Sequence, residues 1–200
     1  MATAVRVTRD EQVRRNRGVV LDAALGVFRR RGYAGTSLEA VGAAAGFSRG
    51  VTYSQFASKA DLFLAALERR RDARAAEQRT LVDGLDRAES WDALVDLLIA
   101  AQDRDPAWIL VSIEFRVVAA RDPGLRERYR ALHQVTLDEL AAVLGRLYVR
   151  TGVEPPAPPA EVAAGVAAFG YGVSLEAAAG GGLSGAPLAA ALRRLLGVPG

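Results

Sequence analysis

Apolar residues recur along this chain at helical spacing, and the period-two alternation that makes strands is scarce, so the expected fold class is all-α. Val20, Ala24, Val27 and Phe28 share one face of a helix expected over residues 11–31, which Gly32 stops at C′. Thr36-Ser37-Leu38-Glu39 has the form of a capping box with the Thr36 hydroxyl as cap, and it predicts a short helix ending before Gly46. Ser48 can cap a further helix over residues 49–55. Ser58-Lys59-Ala60-Asp61 opens a long helix that runs through Leu62, Phe63 and Leu67 to about residue 78. Later helices are expected over 91–102, 105–121, 123–151, 160–179 and 187–196. The proline-rich run 155–159 is a stiff connector between two of them, and Gly180-Gly181-Gly182 is a flexible turn before Pro187.

Composition narrows the functional classes. Half of the 200 residues are hydrophobic, yet no apolar run approaches eighteen residues and the basic amino terminus has no apolar stretch behind it. The expectation is a soluble, unexported, cytoplasmic protein with no membrane association. Without cysteine there is neither a disulfide framework nor a thiolate metal site, and one histidine leaves little for zinc or for histidine-based catalysis. No enzyme activity, cofactor or metal is expected. Charge is distributed unevenly: residues 1–60 hold ten Lys or Arg against four acids, a net +6, and the remainder carries −3. A basic head on a mildly acidic body fits a polyanion-binding segment, since neutralising phosphates releases counterions; a solvated basic face fits the charge equally well.

The spacing within residues 38–56 is that of a helix-turn-helix. Gly42 lets two helices approach, Gly46 supplies the positive φ of the turn, and Val41, Ala45, Phe47 and Val51 surround them. The second helix projects Arg49, Thr52, Tyr53, Ser54 and Gln55, side chains able to meet phosphates and base edges in a major groove. In order along the chain stand the residues 20–28 (Val-Leu-Asp-Ala-Ala-Leu-Gly-Val-Phe), Arg31-Gly32-Tyr33, Thr36-Ser37-Leu38, Ala43 to Ser48, Arg49-Gly50, Tyr53, Phe56 and Ser58 to Leu62. Over about residues 13–65 this series resembles the amino-terminal domain of the tetracycline-repressor (TetR) family; the rest matches only in helix order and length.

The resemblance implies a helix-turn-helix DNA-binding domain over 1–57, with 1–10 as a flexible basic arm, and a helical ligand-binding and dimerisation domain over 58–200. It implies a homodimer reading a double-stranded, near-palindromic operator with half-sites one helical turn apart, about 34–36 Å, and an unidentified small-molecule effector that releases it. By position, Thr36 and Ser37 would touch phosphate, Ser48 and Arg49 would meet backbone or base, Thr52, Tyr53, Ser54 and Gln55 would lie in or beside the groove, and Lys59 would hold phosphate. Two residues depart from the family pattern. Thr52 stands at a usually apolar position and is read as packing, and Gln55 stands where histidine is frequent and could pair with adenine. The arginine-rich leader from Arg6 to Arg17 either follows phosphates as an arm or is a frayed tail.

In the body, residues 108–115 are apolar on nearly every side and mark a buried helix. Trp91, Leu94, Leu98, Gln102, Trp108, Ser112, Glu114, Phe115, Tyr129, His133 and Phe169 are the candidate ligand pocket, with ordinary core as the alternative for each. Glu114 would either orient a cationic or hydroxylated ligand or pair with Arg116, Arg121 or another surface arginine. Family likeness places a dimer interface on the last two helices, at Val162, Val166, Phe169, Val173, Leu188, Leu192 and Leu195; the alternative is packing within one chain. A competing functional reading is a helical small-molecule or protein-binding module with nonspecific nucleic-acid association.

Overall fold

The computed structural model describes residues 8–83, 90–103 and 105–198, and all nine regular elements among them are α-helices. They are α1 (Arg9–Arg31), α2 (Leu38–Ala44), α3 (Arg49–Gln55), α4 (Lys59–Asp83), α5 (Ser90–Asp103), α6 (Pro106–Ala120), α7 (Pro123–Thr151), α8 (Pro159–Ala178) and α9 (Gly185–Leu196). Backbone contacts divide the chain into two compact units, residues 1–70 and 71–200, so that α4 contributes to both.

In the first unit, α1 starts earlier than the apolar stripe alone indicates. Thr8 is its N-cap: its hydroxyl accepts the Glu11 N–H at 3.2 Å, and the Glu11 carboxylate accepts the Thr8 N–H at 2.7 Å, completing a capping box. Residues 9 and 10 of the expected arm are therefore helical, and residues 1–7 lie outside the described ones. The cap of α2 is Ser37, whose hydroxyl accepts the Ala40 N–H at 3.1 Å, and not Thr36. Thr36 is buried and donates its hydroxyl to the Gly32 carbonyl at 2.7 Å, tying the end of α1 to the start of α2. At α4 the expected cap is present, the Ser58 hydroxyl accepting the Asp61 N–H at 3.1 Å.

Val20, Ala24, Val27 and Phe28 are all interior, as the stripe requires. Leu38 and Val41 of α2, Phe56, and Leu62 and Phe63 of α4 are buried in the same unit. Phe28 lies edge-on to Phe63 with centroids 5.1 Å apart, and Tyr33 closes the aromatic group at 5.4 Å from Phe63. Full burial of each Phe stabilises the fold by about 1.5–3 kcal/mol. At the rim, Arg69 of α4 grips Asp22 of α1 through Nε and Nη2 at 2.9 and 3.0 Å.

The second unit is a bundle in which α7 and α8 pack most extensively on each other, with α6 against both and α5 against α9. Its boundaries follow local chemistry. Asp105 caps α6 by accepting the Trp108 N–H, and Asp122 caps α7 by accepting the N–H groups of Gly124 and Leu125, in each case with proline at the first helical position. The core joins Trp91, Leu94 and Val95 of α5 to Leu144, Leu147 and Tyr148 of α7, Val162 and Val166 of α8, and Leu188, Leu192 and Leu196 of α9. Buried polar atoms are paired there: Trp91 Nε1 donates to Thr151 Oγ1 at 3.1 Å, and the Tyr148 hydroxyl donates to the Leu196 carbonyl at 2.6 Å.

Candidate functional site

Helices α2 and α3 enclose a turn at Gly46, whose φ of +75° is the left-handed conformation expected there. They approach so closely at Gly42 that a Cβ added to it would sit 2.4 Å from Thr52 Oγ1. Thr52 is completely buried at this crossing, and its hydroxyl donates to the Ser48 carbonyl at 3.2 Å, so it packs rather than reads. With Thr52 turned inward, the opposite side of α3 presents Arg49, Tyr53 and Ser54, with Ser48 at its start. Ser48 makes no side-chain cap hydrogen bond, whereas the Ser54 hydroxyl is engaged with the Val51 carbonyl at 2.9 Å.

Glu39 organises this exposed surface. The Tyr53 hydroxyl donates to Glu39 Oε1 at 2.6 Å, Arg49 Nε lies 3.5 Å from the same oxygen, and the Arg49 guanidinium sits 5.2 Å from the centre of the Tyr53 ring. The Tyr53 hydrogen bond, with Arg49 adding to it, holds the Glu39 carboxyl below its ordinary range, and the same bond raises the Tyr53 phenol. Three other expected contacts are placed differently. Thr36 is interior; Lys59 donates to the Tyr33 and Ala34 carbonyls at 2.9 and 3.2 Å and lies over the Tyr33 ring; and Gln55 has its side-chain oxygen buried without a hydrogen-bond partner. Arg17 holds the far end of α3, donating to the Gln55 carbonyl at 2.9 Å with its guanidinium 4.3 Å from the Phe56 ring centre. It is a helical bracket, not part of an arm.

The second unit contains a cavity of about 210 Å³ walled by residues of α4 to α9. Of the candidate pocket residues, Leu98 and His133 line it, joined by Arg74, Ile109, Thr136, Leu140, Tyr171 and Ser174 among others. Trp91 and Leu94 belong to the core, and Trp108, Ser112 and Phe115 are buried along α6, where the Ser112 hydroxyl donates to the Trp108 carbonyl at 2.9 Å. The Gln102 side chain lies outside the described residues. Glu114 is on the exposed side of α6, and Arg116, two residues on, faces the opposite way. Arg116 donates through Nε to the Tyr129 hydroxyl, places Nη2 3.2 Å from His133 Nε2, and stacks 3.5 Å over the Tyr171 ring centre. Burial and then the Arg116 charge depress the His133 imidazole to about 4, and burial raises the Tyr129 phenol. Among the described residues no group of acids and histidines has the makings of a metal site.

Two family models match the chain. One, for bacterial regulatory proteins of the tetR family, covers residues 20–66; the other, for the carboxy-terminal part of BetI-type transcriptional repressors, covers residues 87–197, more than half of the sequence. The chain belongs to the TetR family of transcriptional regulators. Its TetR-family relatives include the HTH-type transcriptional repressor AcnR of Corynebacterium diphtheriae, 31% identical over 70% of this chain and 68% of that protein. The HTH-type transcriptional regulator CymR of Pseudomonas putida is 37% identical over 51% of this chain and 58% of that protein, less than two thirds of the relative's length. Salmonella enterica GusR has the same fold, with a TM-score of 0.71 and 24% identity across 95% of this chain and 96% of that one. Three residues take places that the sequence did not indicate: Glu39 was expected only in a capping box, Arg17 in a basic leader and Arg116 as a partner of Glu114. Each is a charged side chain recognisable only by what it touches, though the two-residue offset of Arg116 from Glu114 does place the two on opposite sides of α6.

Proposed function

We propose that the chain is a homodimeric repressor that binds a near-palindromic DNA operator through α2 and α3, and that a small molecule held in the cavity of its second unit releases it. The observation that carries the DNA reading is the side of α3 turned away from its packing contact at Thr52: Arg49, Tyr53 and Ser54 stand exposed on a short helix whose other side is locked to α2. Such a helix offers charge-assisted contacts to phosphate and hydrogen bonds to base edges. Ser37 and Ser48, exposed at the starts of α2 and α3, are the further backbone contacts in this reading.

The dimer surface proposed is the outward side of α8, with Ala164, Ala168, Gly172 and Leu175 exposed, together with Leu195 at its margin on α9. Of the residues expected there, Val162, Val166, Leu188 and Leu192 fill the chain's own core, and Phe169 and Val173 pack half-buried against it. Small exposed side chains let two copies of α8 approach closely about a two-fold axis. Helix α4 runs unbroken from Lys59 to Asp83, carrying Lys59 in one unit and Arg74 of the cavity wall in the other. An effector with different affinities for two arrangements of this helix would shift the population towards the one that fits DNA less well.

The test starts by selecting operator duplexes from random DNA and measuring affinity at physiological salt. The expected result is a palindromic site bound at least a thousandfold more tightly than random sequence. Arg49→Ala should then weaken operator binding roughly tenfold or more while helicity and dimer mass are retained. Equal binding of selected and random DNA would make the association nonspecific and overturn the reading.

A further inference from the structure

The cavity of the second unit has a distinct charge character. Among the described residues its wall contains one cation, Arg74, and no acid; the remaining polar groups are His133, Thr136, Tyr171 and Ser174, set in a lining that is otherwise aliphatic apart from Gly170. Against two of those wall residues, His133 and Tyr171, lies a second guanidinium, that of Arg116. Every partner it has among the described residues is neutral: the Tyr129 phenol, the His133 imidazole and the Tyr171 ring face. Because His133 Nε2 receives an Arg116 N–H, the imidazole carries its proton on Nδ1 and no charge, in keeping with its depressed pKa. Among the described residues these bonds take up two of the five guanidinium N–H groups. A half-buried cation surrounded by neutral aromatic groups is stabilised by their π-faces, and no described residue gives it the carboxylate that such a cation ordinarily takes.

We propose that this cavity takes a small organic monocarboxylate, with its apolar body against Leu98, Ile109 and Leu140 and its carboxylate at the His133–Tyr171 wall, where Arg116 supplies the balancing charge. The assignment rests on the effector reading above and adds the ligand class to it. It reverses the charge complementarity expected from Glu114, which is exposed on the far side of α6. An apolar cavity of about 150 Å³ is enough for benzene, so the roughly 210 Å³ here holds one substituted ring or a short alkyl chain.

The experiment is calorimetric titration of the full-length protein with benzoate and hexanoate, and with their uncharged counterparts benzamide and hexanamide. At least one acid should bind ten or more times more tightly than its amide. Arg116→Gln should abolish that preference, and Arg116→Lys should keep most of it; circular dichroism of both variants checks that the fold survives. If the amides bind as well as the acids, if neither acid binds at millimolar concentration, or if well-folded Arg116→Gln keeps the preference, the anion assignment is overturned. Operator gel shifts with the same four compounds separate this from the broader reading. Acids that bind without releasing DNA would leave the carboxylate site standing and sink the effector role, whereas release by an amide alone would do the reverse.

Discussion

Glu39 is an acid on a surface proposed to meet a polyanion, and its contacts explain how that is tolerated. It orients Tyr53 by a hydrogen bond and holds Arg49 at ion-pair distance, so both side chains are pre-positioned before DNA arrives. Removing its charge should have two separable effects. In Glu39→Gln, total DNA affinity should rise, because one negative charge leaves the interface, while the ratio of operator to random binding should fall several-fold as Tyr53 and Arg49 lose their shared anchor. Parallel gel shifts on the two DNAs check this; an unchanged ratio would show that Glu39 orients nothing that matters. Single residues were also where sequence reading had least purchase. Thr36 and Ser37 are adjacent hydroxyls, each able to cap α2, and the choice is made by the Gly32 carbonyl, which draws Thr36 inward and leaves Ser37 to cap. Lys59 shows the same limit, since a lysine at a helix start looks like a phosphate ligand until the Tyr33 and Ala34 carbonyls appear beneath it.

Among the elements, the crossing of α2 and α3 is the tightest constraint. A methyl group at Gly42 would meet Thr52 Oγ1 at 2.4 Å and Cβ at 3.3 Å, so Gly42→Ala should destabilise the first unit by about 1–3 kcal/mol through overpacking. Adding Thr52→Ala should recover much of that loss, because it deletes the atom in the way; chemical denaturation of the single and double variants measures both. Helix boundaries were largely legible because Ser58, Asp105 and Asp122 are followed closely by orphan N–H groups that need an acceptor. The Thr8–Glu11 box was equally visible in the sequence, but it sits inside an arginine-rich stretch that charge invites one to read as a tail. Rotational phase was harder. Helix α6 is apolar nearly all round, so no stripe says whether Glu114 or Arg116 faces inward, and α8 is so rich in Ala, Gly and Val that core and outer faces have the same composition. Where the structure places the expected pocket and dimer residues differently, the helices concerned have patterns that lack a polar side.

At the scale of the whole molecule, two measurements bear on assembly and on pH. If α8 is the dimer surface, Leu175→Glu together with Ala168→Glu should yield a folded monomer in sedimentation at micromolar concentration, since two like charges would face their copies across the axis. The pH dependence follows from His133. Its imidazole is held at about 4 in the folded chain, below the ordinary 6.5, by burial and by Arg116; among the described residues the Tyr129 and Tyr171 phenols also face it, and Arg74 lies on the same cavity wall. As pH falls below 6.5 the unfolded chain takes up a proton that the folded one refuses, so stability drops progressively down to about pH 4. The melting temperature of the native protein should therefore fall more between pH 7 and pH 5 than that of His133→Gln, which keeps an acceptor for Arg116 without titrating.

The location of that imidazole has a practical consequence. The sequence contains one histidine, and it lines the cavity in contact with the guanidinium proposed to balance the ligand's charge. Its ring protons therefore give a single imidazole pair in a proton magnetic-resonance spectrum, with no other histidine to overlap it. A ring held neutral down to about pH 4 will not drift with buffer near neutrality. Any displacement of those two resonances at pH 7 reports a change in the occupant or the geometry of the cavity, in unlabelled protein and without an assignment campaign.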